Sequence, residues 1–131
     1  MQKEFNFLKS ESVENTSEYP KKILILDTET TGLDPVEDKC IEVGAILFDV
    51  ESRSVLAQVS FLLPATENRA ELINKIPSKI TRIIQPWSDG VSYFKALLDI
   101  ADAIVAHNAQ FDKQWFYKEP LPKITKPWIC S

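Results

Sequence analysis

Asp27-Thr28-Glu29 places two carboxylates two residues apart, directly after the apolar run Ile23-Leu24-Ile25-Leu26. Along an extended backbone, residues i and i+2 face the same side, so both carboxylates can converge on one hard cation. Mg²⁺ and Mn²⁺ prefer such oxygen ligands, and a bound divalent ion removes the repulsion between two acids held close together. A bare Asp-x-Glu also has a plainer reading, in which Asp27 caps a turn and Glu29 is a solvated loop residue. A second cluster follows another short apolar run: Ala106-His107-Asn108-Ala109-Gln110-Phe111-Asp112 comes directly after Ala103-Ile104-Val105. His107, the single histidine of the chain, reads either as a hydrogen-bonded strand-end residue with a structural role or as a substrate contact.

The elements that must position these residues are legible from periodicity. Ile23 to Leu26 reads as a buried central strand ending at Asp27, and Thr28 to Pro35 as a polar loop. Ile41 to Val50 is the second strand. Val55 to Leu63 is the third, with Val55, Ala57, Val59, Phe61 and Leu63 on one face and the turn between strands at Asp49 to Ser54. The three form an antiparallel meander. Pro64 and Pro77 bracket a segment with a short helix expected near Ser78 to Ile84. Ser88 reads as the N-cap of a longer helix whose stripe is Val91, Phe94, Leu97, Leu98 and Ala101. Ala103 to Ala106 is a fourth strand, and a helix starting around Ala109 carries Asp112, Trp115 and Phe116. Pro120, Pro122 and Pro127 make an extended, loop-like tail. A helical crossover returning to the sheet sets the fourth strand parallel to the first, so Asp27 and His107 meet at matching carboxyl ends, where open α/β sheets form their sites.

Composition bounds the rest. The chain has 131 residues, 44% apolar and 26% charged, which suits one domain. Residues 1–20 read as a polar, flexible arm in which Phe5, Phe7 and Leu8 are the candidates for docking. Residues 21–131 are the domain. No apolar run is long enough to span a membrane. The N-terminus has no secretory pattern, so the Asn15-Thr16-Ser17 sequon is a chance match and the location is cytoplasmic. Cys40 and Cys130 are too few and too far apart for a disulfide scaffold or a zinc site and read as reduced thiols. Phe111 and the three tryptophans read as core residues before surface ones. The net charge is −4, but three of those charges belong to candidate metal ligands, and the segment from Lys113 onward is basic. Charge therefore does not exclude a phosphate-bearing substrate.

Two longer strings sharpen the chemistry. Asp27-Thr28-Glu29-Thr30-Thr31-Gly32-Leu33 after a buried strand resembles the first motif of the DEDD (DEDDh-type) 3′–5′ exonuclease superfamily. Ala106-His107-Asn108-Ala109-Gln110-Phe111-Asp112 resembles its second motif, as in the proofreading epsilon subunit of bacterial DNA polymerase III and in ribonuclease T. Trp128-Ile129-Cys130-Ser131 looks like a segment that follows the second motif. The resemblance covers Lys21 to about Ser131. It implies an α/β, ribonuclease H-like fold, two divalent cations (Mg²⁺ or Mn²⁺), and hydrolysis of phosphodiester bonds at the 3′ end of single-stranded DNA or RNA. Carried over by position, Asp27 bridges both cations, Glu29 ligates one and Asp112 holds the second. Leu33 wedges beside the terminal base. The backbone of Thr30, Thr31, Gly32 and Leu33 contacts the terminal nucleotide, Asn108 contacts the substrate backbone or orients the loop, and His107 is the other candidate substrate contact. A DNA polymerase becomes a candidate partner.

The same resemblance exposes departures. Arg82 in Ile80-Thr81-Arg82-Ile83 stands where many relatives carry Gly. The family's third motif, His-x4-Asp, supplies a general base and a fourth ligand, yet after Asp112 the chain holds one acid, Glu119, and no histidine. His107 lies five residues before Asp112 and mimics that spacing, but its Ala-His-Asn-Ala context is that of the second motif. The expectation is a C-terminally shortened exonuclease domain with little or no activity alone. A non-catalytic nucleic-acid-binding or polymerase-tethering module is the alternative, and an inert piece of a longer enzyme is the third reading. A haloacid-dehalogenase-like phosphatase loop fits poorly, because the second acid is Glu29, not Asp, and no later acidic pair follows in a Gly-Asp context.

Overall fold

A computed structural model describes residues 19–131. The first strand, β1 (Lys22–Thr30), is followed by β2 (Cys40–Asp49) and β3 (Ser54–Leu62). Two short helical turns come next, α1 (Glu71–Asn74) and α2 (Ser78–Thr81). Then follow the long helix α3 (Trp87–Ile100), β4 (Ala103–Ala106), α4 (Ala109–Lys113) and β5 (Trp128–Cys130). The five strands form one mixed sheet in the order β3-β2-β1-β4-β5. β1 to β3 are antiparallel neighbours, while β4 runs parallel to β1 and β5 parallel to β4. The meander and the parallel fourth strand are therefore as the sequence implies. Residues 1–18 of the expected arm lie outside the described residues.

Several boundaries differ from the sequence reading. β1 does not stop at Asp27. It continues through Thr30, because β2 pairs with it as far as Glu29↔Glu42 and Thr30↔Cys40, which keeps a polar stretch extended. The proline-rich tail is not all loop: Ile104, Val105 and Ala106 recruit Trp128, Ile129 and Cys130 as a short edge strand. α3 starts one residue before Ser88, after Pro86, with no side-chain cap hydrogen bond. The short helix near Ser78 ends at Thr81, and α1 was not foreseen.

The sheet has two unequal faces. Alternation along β1 sends Leu24 and Leu26 to one side, where they pack with Val43, Ala45, Leu47 and the α3 residues Val91, Phe94, Leu97 and Leu98. Ala57, Val59 and Phe61 pack against the same cluster, whereas Val55 at the strand start is 58% exposed. Phe94 is fully buried, with Phe61 at its edge and Phe116 stacked at 5.6 Å. Gly90 lets α3 approach β3: a Cβ there would lie 2.7 Å from Phe61 Cβ. Ile23, Ala103, Val105 and Val50 form a smaller cluster on the other face, joined by Tyr19, Ile25, Phe48 and Ile129. Trp115 is buried in the main core, and Phe111 and Trp128 pack against it. No helix among the described residues is long and apolar enough to cross a membrane.

Candidate active site

The first two acids lie inside β1. Asp27 pairs in register with Gly44 and Glu29 with Glu42. Asp27 is exposed and Glu29 half-buried, as alternation requires of residues opposite in direction to the buried Leu26, Thr28 and Thr30. A Cβ on Gly44 would meet nothing within 4 Å, so the sheet is open beside Asp27. That opening is a hollow of about 660 Å³ lined by Ile25, Asp27, Gly44, Ile46, Gln58 and Ser60 among others, and neither Glu29 nor Asp112 lines it.

Asp112 arrives from the other cluster. The β1–β4 register aligns Ile23 with Ala103 and Ile25 with Val105, so Asp27 and His107 are in step just beyond the paired stretch. α4 starts where the N–H groups of Phe111 and Asp112 donate to the Asn108 carbonyl. The exposed Asn108 makes no side-chain cap bond. The Asp112 side chain is buried, at 4% exposure, and its Oδ1 accepts a hydrogen bond of 2.5 Å from the Thr28 hydroxyl. Trp115 and Phe116 lie in the turns after α4, not in the helix itself.

The acids share one electrostatic neighbourhood. Partial burial pushes the Glu29 carboxyl above the ordinary carboxylate range, and Asp27, Glu42 and Asp112 push it further. Burial also raises Asp112; the Thr28 hydroxyl and amide and His107 oppose that rise, while Asp27 adds to it. Glu42, directly across from Glu29, is a member of this neighbourhood that sequence reasoning missed. Its only signal was an acid inside an apolar strand. No ion pair among the described residues neutralises Asp27 or Glu29. The donor set is all oxygen and all anionic, which fits a hard divalent cation. The three carboxylates are nevertheless not drawn into a cage: among the described residues, no three His, Cys, Asp or Glu side chains stand close enough to hold a metal ion.

The loop after β1 is built from within. Thr30 Oγ1 donates to the Gly32 carbonyl at 2.6 Å, and the Thr31 N–H to the Lys39 carbonyl at 2.9 Å. Both threonine side chains are buried. Thr30 and Thr31 thus shape the loop, and the Thr31 amide is not free for a nucleotide. Asp38 organises this loop and also went unnoticed in the sequence. Its carboxylate accepts from the Thr31 hydroxyl, the Asp34 N–H and the Arg69 guanidinium. These partners hold it below the usual carboxylate range, the backbone bond from Asp34 foremost. Gly32 is required there, since a Cβ would lie 2.3 Å from an Asp38 oxygen. Leu33 is left 82% exposed at the loop tip. His107 is exposed, and its carbonyl accepts from the Cys130 thiol at 3.2 Å. Both cysteines are free thiols, Cys40 buried and Cys130 exposed; burial raises the Cys40 thiol to about 12.

An exonuclease family model (RNase T) matches residues 24–120, which spans both carboxylate clusters and the sheet between them. The chain belongs to this exonuclease family. Among curated relatives of this chain is the DNA polymerase III subunit epsilon of Treponema pallidum, 34% identical over 96 residues, covering 71% of this chain and 43% of that one. The chain thus spans less than half the length of that relative. Among solved structures, the zinc-bound form of E. coli ExoI in complex with single-stranded DNA superposes with a TM-score of 0.59 at 24% identity, covering 72% of this chain and 22% of that chain. The nuclease domain of 3′hExo, a DEDDh family member bound to rAMP, superposes with a TM-score of 0.58 at 11% identity, covering 76% of this chain and 57% of that one. The exonuclease fold is thus the α/β, ribonuclease H-like one expected, with β5 added.

Proposed function

We propose that this exonuclease domain removes nucleotides from the 3′ end of single-stranded DNA or RNA, with two divalent cations, Mg²⁺ or Mn²⁺, held by Asp27, Glu29 and Asp112. The observation that carries this reading is the shared neighbourhood of unneutralised carboxylates at the end of β1 and the start of α4. By the family resemblance, Asp27 would help hold both cations, Glu29 one of them and Asp112 the other. When bound, such a pair neutralises charge on the attacking and leaving oxygens and makes the attacking water more acidic. The chain's own residues position the substrate. Leu33, exposed at the tip of the loop after β1, packs on the terminal base. The Gly32 backbone, Asn108 and His107 contact its sugar-phosphate. Thr30 and Thr31 act through the loop they hold. The similarity to a polymerase III epsilon subunit supports a DNA polymerase as partner.

No His-x4-Asp third motif follows Asp112 in these residues. Without that base and fourth carboxylate, the 131-residue chain alone turns over slowly or not at all. The second reading is a nucleic-acid-binding or polymerase-tethering module that keeps the fold without turnover, and it is favoured by the spacing of the acids, no three of which among the described residues stand close enough to hold a metal ion. The test is a 5′-labelled single-stranded oligonucleotide incubated with the chain and Mn²⁺. Slow stepwise shortening from the 3′ end, abolished by Asp27→Ala, is the expected result. Salt-dependent binding without cleavage selects the second reading. Neither binding nor cleavage in Mn²⁺ overturns both.

A further inference from the structure

Thr28 sits between the two acids of the first motif, yet it faces the opposite side of β1. There it is buried, at 7% exposure, and its hydroxyl makes the 2.5 Å bond to Asp112 Oδ1 across 84 residues of sequence. The location matters. β4 pairs with β1 only over Ile23–Ile25, so from Leu26 onward that flank of β1 has no strand beside it. The start of α4 brings Asp112 to this flank. A carboxylate attached by one rotatable bond presents either oxygen unless one of them is held. Here one is held by a short bond between two buried groups, where water does not compete.

We propose that Thr28 is the positioning residue of the site: by holding Oδ1 of Asp112 it leaves Oδ2 as the oxygen available to a divalent cation shared with Asp27 and Glu29. This rests on the reading of Asp112 as a metal ligand. In Asp-Thr-Glu the outer two residues then ligate directly, and the middle one aims the third carboxylate from behind the strand. Valine has the shape of threonine and the same preference for a strand but no hydroxyl, whereas serine keeps the hydroxyl and loses the methyl group. The two substitutions therefore separate hydrogen bonding from packing.

The experiment titrates Mn²⁺ into the full chain and reads free Mn²⁺ by electron paramagnetic resonance, with folding checked by circular dichroism. Partners that orient metal ligands are typically worth about 10–100-fold in affinity. Thr28→Val is expected to weaken Mn²⁺ binding by at least ~10-fold, and Thr28→Ser to stay within ~3-fold of the unsubstituted chain. A folded Thr28→Val protein with unchanged affinity overturns the proposal, as does a Thr28→Ser protein that loses as much as Thr28→Val. If Thr28→Val does not fold, Thr28→Ala takes its place in the comparison with Thr28→Ser, and equal affinities overturn the proposal. Should the unsubstituted chain take up no Mn²⁺, or should its uptake be unchanged by Asp27→Asn and Asp112→Asn, the metal reading itself fails. Uptake that Asp27→Asn abolishes but Thr28→Val leaves intact refutes only the role of Thr28.

Discussion

Glu29 and Glu42 face each other across β1 and β2, and no cation among the described residues relieves them. Like charges in directly opposed positions destabilise a strand pair, so this site costs the metal-free fold something. Glu29→Gln is expected to raise stability in EDTA by about 0.2–1 kcal/mol near neutral pH. The pH dependence has a defined sign. Because the folded-state carboxyl of Glu29 is raised, the folded protein binds the proton more tightly than the unfolded chain. Stability is then lost as pH climbs from the unfolded pKa through the folded one. Asp38 and Asp49 act oppositely: their carboxyls are lowered, so their contribution is lost as pH falls. Urea titrations of both proteins between pH 4 and 7 isolate the Glu29 contribution as a difference that grows with pH. A constant difference, or none, contradicts the assignment. Asp38, bound by Thr31, Asp34 and Arg69, shows why single residues were only partly legible. Its charge was plain in the sequence, but its partners span from the adjoining loop to Arg69, 31 residues away.

At the scale of elements, the apolar stripe of α3 was readable because Val91, Phe94, Leu97 and Leu98 follow the helical period and are all buried. Its termini were not readable. The N-terminus uses no side-chain cap. The C-terminus is closed from outside, by Lys126 donating to the carbonyls of Leu98, Asp99 and Ala101. A cation there satisfies orphan carbonyls and opposes the negative end of the helix. Lys126→Met keeps the aliphatic stem and removes the charge and the donors. It is expected to cost about 1–2 kcal/mol in urea unfolding at neutral pH. Exchange of the amides near Ala101 is expected to speed up more than that near Val91. A neutral outcome would mean that water replaces the ammonium at no cost. The same tertiary control set the length of β1. Thr28, Glu29 and Thr30 are polar and lead into the turn signals Gly32, Asp34 and Pro35, and pairing with Cys40–Val43 keeps them in the strand.

For the whole molecule, stability depends most on the helix-covered face of the sheet. Phe94 lies at its centre, between Phe61 and Phe116. Phe94→Ala is expected to cost about 3–5 kcal/mol, a large share of the ~5–15 kcal/mol available to a domain. By contrast Ile84, 99% exposed, touches no core, and Ile84→Ser is expected to stay within about 0.5 kcal/mol. Thermal unfolding of the two variants side by side checks the contrast, and a comparable loss in both would contradict the burial pattern.

The residue types and their order determined the existence of β1 to β4, the inward stripe of α3 and the family. Those depend on local periodicity and on side-chain chemistry carried by neighbouring positions. Tertiary structure alone decided that β1 runs on to Thr30, that Trp128–Cys130 joins the sheet, and that Asp112 is met by Thr28. In each case the deciding partner lies outside the local segment, from Cys40 opposite Thr30 to Asp112 opposite Thr28, and only the assembled fold brings it within hydrogen-bonding distance.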